Sequence, residues 1–294
     1  MISTVIRSDN ELSSHIMGGT PRFLLTRPDA FSVTYAINPF MNANATVNRS
    51  LALQQWENLC SNLEQAGAHL EIQAAVDECP DLVFSNNAAL VLDNRALLSR
   101  FRHAERRAES PHNRTMLESI GISVTELPPA VIAFEGAACA MPYRGSIICA
   151  YGSRTTRDAI AHVGEFANLP IVPVELPDLR FYHLDITFCI LNADTAMVVP
   201  EAMTAASYQR IRALVPNLLE LTLEEGLQFC ANAVVVDHTV FMHSVPQRVG
   251  ALLEDHGFDA VEIPVTEFIK SGGSLACMAL RLDRTAHVHA SSHS

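Results

Sequence analysis

The chain has 294 residues, 49% of them hydrophobic and 18% charged, enough apolar material for a large core in one α/β domain or two smaller ones. Twenty Lys and Arg against 32 Asp and Glu give a formal charge of −12, scattered along the chain; polyanionic nucleic acid and anionic membrane surfaces are repelled by that balance and are not expected partners. Seven cysteines without a CxxC pair read as reduced thiols, and residues 1–10 lack the apolar segment of a secretory signal, so a cytoplasmic protein is expected.

In chain order, residues 1–21 are polar and read as a loosely attached arm. Strands are predicted at 22–26, 69–72, 82–84 and 89–92, with a helix at 51–67 carrying Leu51, Leu53, Trp56, Leu59, Leu63 and Ala66 at near-helical spacing. A basic, helix-favouring stretch follows at 96–117. Further strands are predicted at 123–127, 131–134, 146–151, 171–176, 188–191, 197–199, 217–221, 234–236, 240–242, 260–264 and 278–282, with helices at 156–167, 206–214 and 246–257. The order strand, strand, helix, strand recurs about every 50–60 residues, a period typical of repeat arrays and propellers. No Pro/Ser-rich linker interrupts it, which predicts one domain over 22–283. Residues 284–294 read as a disordered tail; His287, His289 and His293 are a set that could chelate a metal, with a frayed tail the favoured reading.

Several polar groups interrupt apolar runs. Cys277 follows the Gly272-Gly273 pair, which reads as a flexible turn delivering a thiol to the mouth of a strand. On an extended strand His183, Asp185 and Thr187 share one face, which places an imidazole and a carboxylate in the same space; a surface His–Asp pair is the competing reading. Glu135 lies in Ile132-Ala133-Phe134-Glu135-Gly136-Ala137-Ala138, where burial requires a cationic partner, either a ligand or an arginine. Asn86 and Asn87 either form a turn or aim amides at a polar substrate. Arg106 and Arg154 are candidate carboxylate clamps, although arginines in such stretches more often solvate a helix face.

Seven motifs in register carry a resemblance: Tyr35-x-Ile37-Asn38-Pro39-Phe40-Met41, Pro80-Asp81-x-Val83-Phe84-x-x-Asn87-Ala88, Phe101-Arg102-x-x-Glu105-Arg106, Phe134-Glu135-Gly136, Phe181-Tyr182-His183-Leu184-Asp185, Phe229-x-x-Asn232-Ala233-Val234 and Glu267-Phe268-x-Lys270-x-Gly272-Gly273-x-x-x-Cys277. From about residue 22 to 282 the chain resembles the guanidino-group-modifying enzymes (arginine deiminases, dimethylarginine dimethylaminohydrolases, amidinotransferases), with the bacterial arginine dihydrolases nearest through Ile37-Asn38-Pro39 and Asn87.

The resemblance implies an α/β fold, a five-bladed α/β propeller (pentein) with pseudo-fivefold symmetry. It implies Cys277 as nucleophile, His183 as general acid/base and Glu135 as the carboxylate orienting the guanidinium. Asp185 supports the same group, Arg106 and Arg154 grip an α-carboxylate, and Asn38, Asp81, Asn87 and Gly273 complete the substrate site. A thiolate suits a poorly electrophilic guanidinium carbon, and a bound cation helps to lower the thiol's pKa.

The implied activity is two-round hydrolysis of arginine through a thiouronium intermediate to ornithine, ammonia and carbon dioxide, because the neutral amide of Asn87 suits the ureido group of citrulline. Single-step formation of citrulline (arginine deiminase or dimethylarginine dimethylaminohydrolase), amidinotransfer and an inactive arginine-binding homologue are the alternatives. No cofactor or metal is implied, the partner is a small guanidino molecule, and a homo-oligomer is compatible with the sequence. One departure stands out: Ala138-Cys139 occupies the place of the family's usual Gly-Asp, which leaves Glu135 without its familiar neighbour.

Overall fold

The computed structural model describes residues 20–286. The arm predicted at 1–21 and the tail histidines therefore lie almost entirely outside the described residues. The tail's assigned start is corrected: Ala286 N–H donates to the Asp93 carboxylate at 3.2 Å, Asp93 N–H donates to the Arg284 carbonyl at 3.0 Å, and Ala286 is buried, so packing extends through residue 286.

Among the described residues, fifteen strands pair into five three-stranded sheets of one pattern: a central strand with an antiparallel neighbour on one side and a parallel neighbour on the other. Four consist of β3 (Ala89–Leu92), β4 (Arg95–Leu98) and β5 (Ser123–Thr125); β6 (Ala140–Tyr143), β7 (Ser146–Gly152) and β8 (Ile171–Leu176); β9 (Phe188–Ile190), β10 (Thr195–Val198) and β11 (Asn217–Glu220); and β12 (Val234–Val236), β13 (Thr239–Met242) and β14 (Asp259–Glu262). The remaining sheet joins the two ends of the chain: β1 (Arg22–Thr26) is central, parallel to β2 (His69–Gln73) and antiparallel to β15 (Leu280–Arg281).

Parallel neighbours need a crossover, and a helix supplies it in every sheet: α1 (Arg49–Gln65), α2 (Glu109–Ser119), α3 (Ala159–Ala167), α4 (Ala205–Leu214) and α6 (Gln247–Glu254). The shorter α5 (Leu223–Leu227), α7 (Thr266–Ile269) and α8 (Leu275–Met278) lie between sheets. In α1 Trp56, Leu59 and Leu63 of the predicted stripe are buried, joined by Ala52 and Gln55, whereas Leu51, Leu53 and Ala66 are only partly covered; Asn48 caps the helix by accepting from Leu51 N–H. In β7, Ile147 through Ala150 are all buried, so both faces of the strand are covered and the run shows no alternation.

Four predicted elements differ. Residues 82–84 belong not to a strand but to two 3-10 turns, Pro80–Val83 and Ser85–Asn87. The stretch 96–117 begins in β4, because complete burial of Ala96 and Leu97 outweighs their helix propensity, and only its later part enters α2. Residues 131–134 form only the bridge between Phe134 and Arg100. Cys277 sits in α8, with β15 starting at Leu280, so the thiol is delivered by a short helix rather than by a strand mouth. The sequence also concealed β6, where Pro142 is tolerated because the strand pairs on one side only.

The segment before the antiparallel edge strand of each sheet is a tight turn or short helix: Ser85–Asn87, Gly136–Ala138, Leu184–Ile186, the turn at 229–232, and α8. Corresponding positions of all five sheets thereby contribute side chains to one buried cluster.

Candidate active site

Cys277 is 3% exposed, and its Sγ accepts from Asn232 Nδ2 at 3.2 Å and donates to Asp185 Oδ2 at 3.5 Å. Asn232 fixes both partners, because its Oδ1 also accepts from Cys277 N–H at 3.3 Å and its Nδ2 donates to the Asp185 carbonyl at 2.9 Å. Burial first, and the Asp185 carboxylate second, push the Cys277 thiol well above the ordinary thiol range. Burial likewise raises Asp185, opposed by His183 and by the hydrogen bond from Asn86 Nδ2 at 2.9 Å. Asp185 Oδ1 is buried with no hydrogen-bond partner among the described residues. A carboxylate oxygen in that state is an acceptor waiting for a donor.

His183 Nε2 lies 2.7 Å from Glu135 Oε2, which also accepts from Arg154 Nη1 at 2.9 Å. Burial alone would raise Glu135, but Arg154 and then His183 hold it well below the ordinary carboxylate value. Its other oxygen accepts from Arg102 N–H at 3.1 Å. Gly136, next in sequence, is required: its φ is +58°, and a Cβ there would lie 2.9 Å from Ala89 N, Asn87 O and Ser99 Oγ. Arg154 also donates to the Ile37 carbonyl at 3.1 Å and stacks over Tyr182 at 4.7 Å.

On the opposite wall Arg106 Nε and Nη2 grip both oxygens of Glu109 at 2.7 and 2.8 Å, while Nη2 and Nη1 donate to the Asp81 carbonyl at 3.1 Å and Asn87 Oδ1 at 3.0 Å. Asp81 accepts from Tyr35 and Ser271 hydroxyls, each at 3.0 Å. Asn38 binds the Ser271 carbonyl at 3.0 Å and accepts from Phe40 and Met41 N–H groups, clamping its loop to the 271–273 turn. Gly273 packs on the Phe84 ring so closely that a Cβ would overlap it. Two guanidinium groups (Arg106, Arg154) face four carboxyl groups (Asp81, Glu109, Glu135, Asp185), a formal balance of −2 that favours a cationic ligand.

All ten sequence-predicted site residues fall in this region. Asn38, Asp81, Asn87, Arg106, Arg154, His183, Gly273 and Cys277 line one pocket, while Glu135 and Asp185 bond to its walls. Three expectations change. His183 and Asp185 do not share a strand face: His183 is extended and Asp185 lies in the following 3-10 turn, which points them to Glu135 and Cys277 respectively. The fork of Arg106 is taken by Glu109, so a bidentate grip on a substrate carboxylate is closed to it. Glu135 has neighbours despite Cys139, namely Arg154 and His183, and Cys139 is a buried thiol raised by burial. The sequence reading assigned no role to Asn232, Glu109 or Tyr182. Asn232 stood in a quoted motif between two alanines, the same polar-in-apolar signal that marks Glu135, and Glu109 stands three residues from Arg106 where helical pairing is favourable.

The family model for eukaryotic N,N-dimethylarginine dimethylhydrolase matches residues 27–284. The bifunctional arginine dihydrolase/ornithine cyclodeaminase ArgZ of Synechocystis sp. is 34% identical over 266 residues, 89% of this chain but 37% of that protein; this chain thus spans little more than a third of that relative's length. The N(G),N(G)-dimethylarginine dimethylaminohydrolase of Mycobacterium tuberculosis is 30% identical over 263 residues, 90% of this chain and 86% of that one. The crystal structure of the N-terminal domain of ArgZ, a cysteine-to-serine mutant of a cyanobacterial arginine dihydrolase bound to substrate, superposes with a TM-score of 0.88 at 32% identity, covering 91% of this chain and 100% of that domain.

Proposed function

The chain belongs to the dimethylarginine dimethylaminohydrolase family of guanidino-modifying enzymes, and on that premise we propose that it is a cytoplasmic arginine dihydrolase built as a five-bladed α/β propeller. The five like sheets, with β1 and β15 joining the chain's two ends, support a closed ring with pseudo-fivefold symmetry around the site. The observation that carries the activity is the placement of a buried thiol and an imidazole in one pocket walled by carboxylates, with Asp185 Oδ1 unpartnered.

In this mechanism the guanidinium of arginine is taken by Asp185 and Glu135, while Arg154 and the remaining Nη1 N–H of Arg106 hold the α-carboxylate. The entering cation offsets the two influences that keep Cys277 protonated, desolvation and the Asp185 charge. The thiolate attacks the guanidinium carbon, and His183 passes a proton to the departing ammonia. Water activated by His183 then attacks the thiouronium carbon and the thiol leaves, giving citrulline. A second attack on the ureido carbon releases the second ammonia, and hydrolysis gives a carbamate that breaks down to ornithine and carbon dioxide. The overall balance is arginine and two waters to ornithine, two ammonia and one carbon dioxide.

The amide of Asn87 supports the second round, since it adds no charge beside Arg106 and can bond a neutral ureido group. The likeness to the ArgZ domain over nearly the whole chain supports the same choice. Purified protein incubated separately with arginine, citrulline and dimethylarginine tests it. Ornithine with two ammonia per arginine is expected. Citrulline as the sole product, or dimethylamine release as the dominant activity, overturns the dihydrolase assignment.

A further inference from the structure

We propose that Glu109 is a positioning residue whose grip on Arg106 orients the Asn87 amide and thereby keeps His183 Nδ1 a bare acceptor, with the ring proton on Nε2 against Glu135. Glu109, Arg106, Asn87, His183 and Glu135 are 1%, 3%, 2%, 2% and 0% exposed, so solvent cannot readily substitute for a lost partner. Arginine can only donate. With its fork held on Glu109, its Nη1 points at Asn87 and lies 3.0 Å from Oδ1, which places the oxygen of that amide on the arginine side.

The Asn87 Nδ2 is then turned toward His183 Nδ1, 3.4 Å away. An amide nitrogen only donates, so Nδ1 is an acceptor and bears no proton. The ring proton is left on Nε2, 2.7 Å from Glu135 Oε2, where a carboxylate accepts it. Each link has one polarity: Arg106 donates to Glu109 and to Asn87, Asn87 donates to His183, and His183 donates to Glu135. A general acid/base with a defined tautomer starts every turnover from the same arrangement of donors and acceptors. Releasing Arg106 frees the Asn87 amide to turn over and present its oxygen to Nδ1; with Glu135 Oε2 still 2.7 Å from Nε2, both ring nitrogens then face acceptors and both carry N–H.

The catalytic consequence rests on the dihydrolase reading above: a mobile Asn87 amide holds the ureido intermediate poorly, and citrulline escapes before the second round. Two variants separate positioning from simple charge neutralisation. Glu109→Gln places an amide donor against the arginine fork, whereas Glu109→Asp keeps the buried charge pair but is one methylene too short for both contacts. Glu109→Asp decides the matter where Glu109→Gln does not accumulate as folded protein.

The substrate-free chain, labelled with 15N-histidine, is examined by long-range 1H–15N correlation, with His183 assigned from the signal lost in His183→Gln. The native protein is expected to show neutral His183 protonated at Nε2. Both Glu109 variants are expected to show a proton on Nδ1 in addition to the one on Nε2, with at least a tenfold rise in citrulline released per ornithine formed. An unchanged Nε2-protonated signal in either folded variant overturns the proposal, even if activity falls. If the native protein makes only citrulline, the dihydrolase reading fails while the tautomer result stands independently.

Discussion

Glu135→Gln is the perturbation whose size follows most directly from the structure. It removes the buried negative charge that Arg154 meets at 2.9 Å and His183 at 2.7 Å, leaving Arg154, 2% exposed, with neutral partners alone: the Ile37 carbonyl, the Tyr182 ring and an amide oxygen. Breaking a buried pair at one partner costs about 3–5 kcal/mol. For a domain of this size, where 1 kcal/mol shifts Tm by about 2 °C, the expected loss is roughly 6–10 °C at neutral pH. The pH dependence has a defined sign. Glu135 is depressed in the folded protein relative to its ordinary 4.5, so its stabilisation is present above that value and is lost as pH falls through the folded value. Gln does not titrate there. The gap in Tm between native protein and variant should therefore be widest near neutrality and shrink below pH 4.5, as followed by circular dichroism. Arginine turnover should fall about 10²- to 10³-fold, the scale of losing one preorganised electrostatic contact. A Tm gap that is absent, or that persists undiminished in acid, refutes the assignment of Glu135 as an ionised partner of Arg154.

Cys277→Ser should abolish turnover yet still bind arginine by calorimetry, and mass spectrometry should find a covalent adduct on the native protein during arginine turnover and none on the variant. Because burial and Asp185 keep the free thiol protonated, iodoacetamide should alkylate the Cys277 peptide slowly at neutral pH and faster only above pH 9; a plateau near pH 7 would contradict this. Gly273→Ala drives a Cβ into the Phe84 ring, so a loss of about 1–3 kcal/mol is expected. Turnover should fall further than stability, because the displaced turn leads directly into α8 and Cys277.

What the sequence made legible depended on chemical contrast. Glu135 stood out because a carboxylate amid Phe, Ala and Gly has to meet a cation, and the structure supplies Arg154. Cys277 and His183 stood out through motif order, although the local geometry assigned to each was wrong: a helix carries the thiol, and a 3-10 turn separates His183 from Asp185. Glu109 was illegible for the opposite reason. In Ala108-Glu109-Ser110-Pro111 it has the appearance of an exposed first-turn acid, and only the fold pairs it with Arg106, which is itself tied to the Asp81 carbonyl and Asn87, and buries it there. Asn86 and Asn232 are an intermediate case: each is visible as an amide in apolar company, but its partner is not. Neither amide has chemistry of its own to advertise, and each acquires a role from where the sheet before it ends: Asn86 on the Asp185 carboxylate, Asn232 between that residue and the thiol. A nucleophile can thus be found by residue type. The groups that set its protonation are found by the directions of their donors, and those directions exist only once five separated turns have been brought to one point.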